Sequence, residues 1–273
     1  MQHSKKESQK NPEVLYEVES HIATITLNRP ERMNTISTAM LDELAACFVQ
    51  ANMDPEVRVV ILTGKGRAFC AGLDLVKQAS GEEGSLISKD RIVTHLDLRN
   101  APPTTLFELD KPVICAMNGS AAGYGLDTAL GCDIRIMADH AKMSAAFVKR
   151  CIVPESGGTW LLPRLIGWSK AAELIFTGKT IEADECLSLG LVSRVVPAEK
   201  LMEEAKALAL EIAENAPMAV QASKRMMRMG LDETFANHVH HVFLQLLPLT
   251  RMEDFTEGYR SFLEKRKPAF KGR

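Results

Sequence analysis

The chain has no excess of charge of either sign: 33 Lys and Arg face 35 Asp and Glu, leaving a formal net charge of -2 over 273 residues. That balance argues against a dedicated nucleic-acid or anionic-membrane binder, whose affinity comes mainly from a basic surface. No run approaches the ~18 apolar residues of a membrane span. The N-terminus is polar and carries no apolar stretch of signal-peptide type, so residues 1–12 read as a disordered lead-in. The six cysteines, Cys47, Cys70, Cys115, Cys132, Cys151 and Cys186, include no CxxC pair, so neither a zinc ribbon nor a thioredoxin-type motif is signalled. They read as free buried thiols acting as small hydrophobes. A soluble, cytoplasmic protein is the expectation.

Nucleotide fingerprints are missing too. Thr177-Gly178-Lys179-Thr180 imitates the end of a P-loop, but Glu173 stands where its first glycine belongs, and the turn closes a helix instead of opening one. Gly119-Ser-Ala-Ala-Gly123-Tyr-Gly125 is not GxGxxG, which leaves a dinucleotide site weakly supported.

What is present is an alternation of strands and helices. Val14–Glu19 and residues 22–28 predict a strand pair broken at Ser20-His21. Ser37 is placed to cap a helix on which Met40, Leu44, Cys47 and Phe48 recur at helical spacing. Residues 57–62 form an apolar run suited to a strand buried on both faces. Val113–Met117, Ile134–Ala138 and residues 191–196 predict further strands. This is α/β architecture, with strand–strand–helix units recurring loosely.

Residues 13–200 form the expected core and residues 201–273 a helical region. Four amphipathic helices are predicted there, over 198–213, 217–229, 232–247 and 252–265, punctuated by Pro217, Gly230 and Pro248. The polar segment 77–103 reads as a loop beside a site. His238 and His241 share a face of the third helix, which makes a metal site conceivable. Asp232 and Glu233 are expected a turn or more away, so packing or subunit contact is the expected role.

Two glycine turns can carry chemistry. One is Ala68-Phe69-Cys70-Ala71-Gly72-Leu73-Asp74, following the buried strand; the other runs from Gly119 to Gly125. Free N–H groups at a helix start favour an anion. If the two turns converge, a pair of N–H groups can hold one oxygen as an oxyanion hole.

The same residues carry a family resemblance. Phe69 to Asp74, Asn118 to Asp127, Cys132-Asp133-Ile134-Arg135-Ile136, Gly157-Gly158-Thr159, Leu162 to Gly167, Phe176-Thr177-Gly178, Gly190-Leu191-Val192 and Phe262 to Arg266 together resemble the crotonase (enoyl-CoA hydratase/isomerase) superfamily. The resemblance runs from about Val14 to the C-terminus. It implies a crotonase-like α/β spiral of ββα units with a C-terminal helical trimerisation region. It also implies an acyl-CoA thioester substrate, assembly as a homotrimer or dimer of trimers, and neither metal nor cofactor, coenzyme A being part of the substrate.

By the resemblance, the oxyanion hole falls on the backbone N–H groups of Ala71 and Tyr124. Substrate and CoA contacts fall on Ala71, Gly72, Leu73, Asp74 and Phe147, and Lys265 matches a lysine that contacts CoA phosphates, commonly from a neighbouring subunit. Hydratases of this family hold one water between two glutamates. The first falls here on Asp127, with a shorter reach, and the second on Phe147, which cannot transfer a proton. Glu155, eight residues on, occupies a position that is acidic in some family isomerases. Glu155 and Asp127 are thus the candidate proton-transfer groups, the alternative for Glu155 being a helix cap.

The expected activity is hydration or double-bond isomerisation of an enoyl-CoA through a thioester enolate. Open alternatives are a hydrolase or isomerase of cyclic or aromatic-derived acyl-CoA, and a catalytically weak member that binds CoA esters, RNA or a protein.

Overall fold

Ser20 and His21 both take left-handed backbone (φ 52° and 65°), folding β1 (Val14–Glu19) back on β2 (Ile22–Leu27) as an antiparallel pair. The computed structural model describes residues 11–74 and 101–273. The lead-in up to residue 10 and residues 77–100 of the expected loop lie outside the described residues. The end of that loop departs from expectation, because Pro102 and Pro103 open a helix where a missing N–H costs nothing.

After β2, Ser37 caps α1 (Thr38–Met53), its Oγ accepting from the Met40 N–H. Met40, Leu44 and Phe48 are fully buried on one face. β3 (Val59–Gly64) is buried along its whole length, as its unbroken apolar run requires. Each of Val60, Ile61 and Leu62 contributes about 1.5–3 kcal/mol by burial.

The chain then alternates between two sheets. β4 (Ala68–Cys70), α2 (Pro102–Glu108), β5 (Val113–Met117), β6 (Ser120–Ala122), α3 (Tyr124–Gly131), β7 (Ile134–Ala138) and β8 (Lys142–Ser144) follow in order. α4 (Gly158–Ile166), α5 (Trp168–Thr177), β9 (Thr180–Glu182), α6 (Ala183–Ser188) and β10 (Arg194–Val196) complete the alternation.

The larger sheet has the order β1-β2-β3-β5-β7-β10 and the smaller β4-β6-β8-β9. Pairings are parallel except β1 with β2 and β8 with β9. Each circuit lays one strand in each sheet, which is the expected spiral. The last strand is shorter than the predicted 191–196, since only its final three residues pair with β7.

The helical region comprises α7 (Leu201–Ala213), α8 (Pro217–Met229), α9 (Phe235–Leu249) and α10 (Glu253–Leu263). The boundary expected at residue 200 is corrected by α7. Its Leu201, Ala205, Ala209 and Ala213 are buried against β3, β5 and β7, so it covers the large sheet as part of the core. Pro248 is no terminator either: α9 runs one residue past it, forgoing a single backbone bond in its last turn.

α8 is tied to the core by charge. Lys224 Nζ meets Asp133 at 2.6 Å, and Arg225 and Arg228 both meet Asp110. α9, in contrast, buries no residue in the single chain.

Candidate active site

The site grows from the C-terminal ends of β4 and β6. These strands run parallel with Ala68 opposite Ser120 and Cys70 opposite Ala121, so a bulge at Phe69 absorbs one residue. Three residues beyond Cys70 is Leu73; three beyond Ala121 is Tyr124. The register therefore sets these two turns side by side.

Gly72 permits their approach. Its backbone is left-handed (φ 86°), and a Cβ there would stand 2.6 Å from the Ala122 carbonyl oxygen and 3.5 Å from the Tyr124 nitrogen.

The assignment of Ala71 to an oxyanion hole is corrected at this point. Its N–H donates to the Met33 carbonyl at 3.0 Å and has no freedom to serve a ligand. The N–H groups of Leu73 and Tyr124 have no partner among the described residues. Tyr124 opens α3 behind Gly123, with no side chain capping the helix, so its donor also carries the positive end of the helix dipole.

Asp74 is corrected as well. It is buried and faces the guanidinium groups of Arg29 at 3.8 Å and Arg32 at 3.9 Å, away from the residues that line the cavities. Its place is in an ion-pair cluster that braces the turn.

Two cavities meet at this point. A small one of about 130 Å³ is lined by Ala71, Gly72, Leu73, Tyr124, Phe147 and Glu155, among others. A larger one of about 670 Å³ shares Tyr124 and Glu155 and adds Asp127, Phe107 and Trp160. The structure thus brings together all the expected site residues except Asp74 and Lys265. Lys265 is exposed, with left-handed backbone (φ 52°) just beyond α10 and off both cavities.

The two carboxylates differ in setting. Asp127 is almost wholly buried in the first turn of α3. Burial pushes its pKa up to about 7, opposed by the Gly158 and Ser156 N–H groups and reinforced by Glu155. The Ser156 N–H bonds Oδ2 at 3.1 Å, while Oδ1 has no well-aligned partner among the described residues. Glu155 opens more to solvent; partial burial raises its pKa and a bond to its own backbone opposes the rise. It caps nothing, because the cap position of α4 belongs to Gly157, with no side-chain bond. The Tyr124 hydroxyl is buried without a hydrogen-bond partner among the described residues, and burial chiefly raises its pKa.

Two residues escaped the sequence reading. Leu73 was read as a substrate contact, yet its N–H is the free donor in the first turn. Asn34, fully buried, was not singled out. Its Oδ1 accepts from the Arg29 N–H, and its Nδ2 donates to the carbonyls of Lys65, Ala68 and Phe69. It thereby holds β4 just ahead of the turn. The usable signal is an Asn four residues after Pro30, a type that tolerates left-handed backbone (φ 53°).

The histidine cluster also differs from expectation. The Glu233 carboxylate reaches His241 Nδ1 at 2.8 Å and His238 Nδ1 at 3.4 Å, instead of lying a turn away. Among the described residues no group of three His, Cys, Asp or Glu is placed to hold a metal ion. Of the cysteines, Cys70, Cys115, Cys132 and Cys186 are buried, Cys47 is half-buried and Cys151 is exposed, against expectation.

A parallel-strand pair that aims two free N–H groups at one pocket with acids beside it defines an enzyme of acyl chemistry. Residues 17–273 match the enoyl-CoA hydratase/isomerase family, and the chain belongs to that family, within the crotonase superfamily. It is similar to the (E)-benzylidenesuccinyl-CoA hydratase of Thauera aromatica, 37% identical over 95% of this chain and 99% of that one. The 1,2-epoxyphenylacetyl-CoA isomerase of Escherichia coli is likewise 37% identical, over 95% and 98%. A crystal structure of enoyl-CoA hydratase from Bacillus anthracis superposes with a TM-score of 0.87 at 36% identity, covering 96% of this chain and 100% of that one. The protein is an enzyme of the enoyl-CoA hydratase/isomerase type.

Proposed function

We propose that the site isomerises the double bond of an enoyl-CoA, with Glu155 as the group that moves the proton. The thioester oxygen accepts from the Leu73 and Tyr124 N–H groups, which stabilise the enolate as charge develops; one such donor is worth about 10²–10³ in rate. Glu155 takes a proton from the α carbon of a 3-enoyl ester. The electron pair delocalises onto the thioester oxygen, and the same carboxyl returns the proton at the γ carbon, giving the conjugated 2-enoyl ester. The proton count closes on one carboxylate, with neither water nor cofactor consumed.

The observation that carries this reading is Phe147. It is buried and lines the small cavity with Glu155, where a hydratase of this family would hold its second carboxylate. An apolar wall there leaves nothing to orient an attacking water from that side.

A second reading, hydration, is favoured by Asp127. It shares the large cavity with Glu155, so a second carboxyl stands beside the proposed proton-transfer group.

The test is spectrophotometric. A 3-enoyl-CoA should gain conjugated-enoyl absorbance on mixing, and Glu155→Gln should cut that rate by about 10²–10⁴. Loss of crotonyl-CoA absorbance with no 3-enoyl turnover transfers the assignment to hydration. Turnover unchanged in the Gln variant removes Glu155 from the mechanism.

Assembly belongs to the same proposal. Phe235, Phe243, Leu244 and Leu247 are exposed along α9 in the single chain, an apolar surface of the kind that mates with another copy. In a homotrimer or dimer of trimers, Lys265 of a neighbouring copy supplies a cation to the CoA phosphates. Among the described residues no helix is long and apolar enough to cross a membrane. The free thiols agree with a reducing, cytoplasmic setting.

A further inference from the structure

We infer that the large cavity is built for an aromatic ring, so that the preferred substrate is an aryl-bearing acyl-CoA in place of a straight-chain one. The inference rests on the thioester sitting between Leu73 and Tyr124, as proposed above. At about 130 Å³ the small cavity has room for little beyond the thioester and its first carbons. The rest of the acyl group must pass Tyr124 and Glu155 into the cavity of about 670 Å³, which lies in the size range of ordinary ligand pockets.

The walls of that cavity are specific. Phe107 and Trp160 meet edge to face, with ring centroids 5.6 Å apart and planes at 86°. A guanidinium lies over each ring: Arg164 is 3.9 Å from the Trp160 centroid and Arg228 is 5.5 Å from that of Phe107. The cations are themselves anchored, Arg228 by Asp110 at 3.1 Å and Arg164 by Asp232 at 3.7 Å.

The aromatic corner is therefore held in place before any ligand arrives, and little side-chain entropy remains to be lost on binding. A third ring placed in it gains aromatic pairing on top of burial, about 0.5–1.5 kcal/mol per pair. An alkyl chain gains burial alone. Leu41, Leu106 and Leu161 complete an apolar lining. Glu155 stands at the end shared with the small cavity, where the reacting carbons lie.

Titration calorimetry with phenylacetyl-CoA and butyryl-CoA, neither of which carries a double bond to move, tests this without turnover. Wild-type protein should bind the phenyl ester about tenfold more tightly. Trp160→Leu, which keeps apolar bulk but removes the ring, should reduce that preference to about twofold. Trp160→Phe should restore most of it. Equal affinity of the wild-type protein for the two esters overturns the inference, as does a preference that survives in Trp160→Leu. Loss of the Glu155 dependence of turnover with the ring preference intact would overturn the isomerase reading and spare this one.

Discussion

The N–H of Ser156 donates to Asp127 Oδ2 at 3.1 Å, tying the residue next to Glu155 to the helix whose first N–H is that of Tyr124. Glu155, Asp127 and the Tyr124 N–H, to which the proposed function gives proton transfer, a second acid and carbonyl binding, are thereby parts of one unit. A shift of any one is felt by the others, and the variants below probe that unit from different sides.

Asp127 should make the fold more stable in acid. Its folded pKa of about 7 lies above the ordinary 3.8, so the folded state keeps a proton that the unfolded chain has lost between about pH 4 and pH 7. The contribution is full below pH 4, declines as pH rises to 7 and is gone above. At most it is about 4 kcal/mol. Urea unfolding of wild type and Asp127→Asn at pH 4.5 and pH 8, chosen as roughly the two ends of that window, should show a smaller pH dependence in the variant. Superimposable pH dependences would mean that Asp127 is not held protonated.

Gly72→Ala should strike rate more than fold. The new Cβ collides with the Ala122 carbonyl and requires left-handed backbone, so the turns must part and carry the Leu73 N–H away from that of Tyr124. A fall in kcat of about 10²–10³, with circular dichroism unchanged, is expected. A fully active variant would show that the hole does not depend on this approach.

Asn34→Ala should act on stability first. Four bonds to backbone groups vanish, some of them buried beyond the reach of water. The loss should be on the order of 3 kcal/mol in urea unfolding. Addition of an acyl-CoA should recover part of it, because a ligand that binds only the folded state stabilises that state.

On the proposed assembly through α9, Phe243→Glu should give a monomer where the unaltered chain gives a trimer or hexamer. The residue is exposed on α9, so a monomer tolerates the charge at little cost while an apolar interface does not. Light scattering after size exclusion reads the mass directly. An unchanged mass places the interface elsewhere.

Much of the fold was legible because local pattern and tertiary role agree. Val113–Met117, Ile134–Ala138 and the helix Pro217–Met229 match their predicted bounds, each being a buried apolar run or a helix opened by proline. The failures share one physical cause. The resemblance sets the hole on Ala71, but its N–H is taken by the Met33 carbonyl, which is remote in sequence. The resemblance sets a substrate contact on Asp74, whose ion-pair partners Arg29 and Arg32 lie forty residues or more upstream. The bridging of two histidines by Glu233 needed the loop before α9 to turn back, which no spacing rule encodes. Long-range polar pairing, more than hydrophobic pattern, separated what was read from what was missed.

The bulge at Phe69 has a bearing on how the protein tolerates change in chain length. Side-chain and N–H directions alternate along a strand, so the one extra residue in β4 sets the phase in which Leu73 arrives opposite Tyr124. Deleting a residue between Ala68 and Leu73, or adding one, would swing that N–H to the far side of the turn while every strand of the large sheet stayed in register. Such a chain would lose the carbonyl grip proposed for the Leu73 and Tyr124 N–H groups. On the proposed mechanism, insertions and deletions that leave the enzyme working fall outside this short stretch, whose length then counts as much as its side chains.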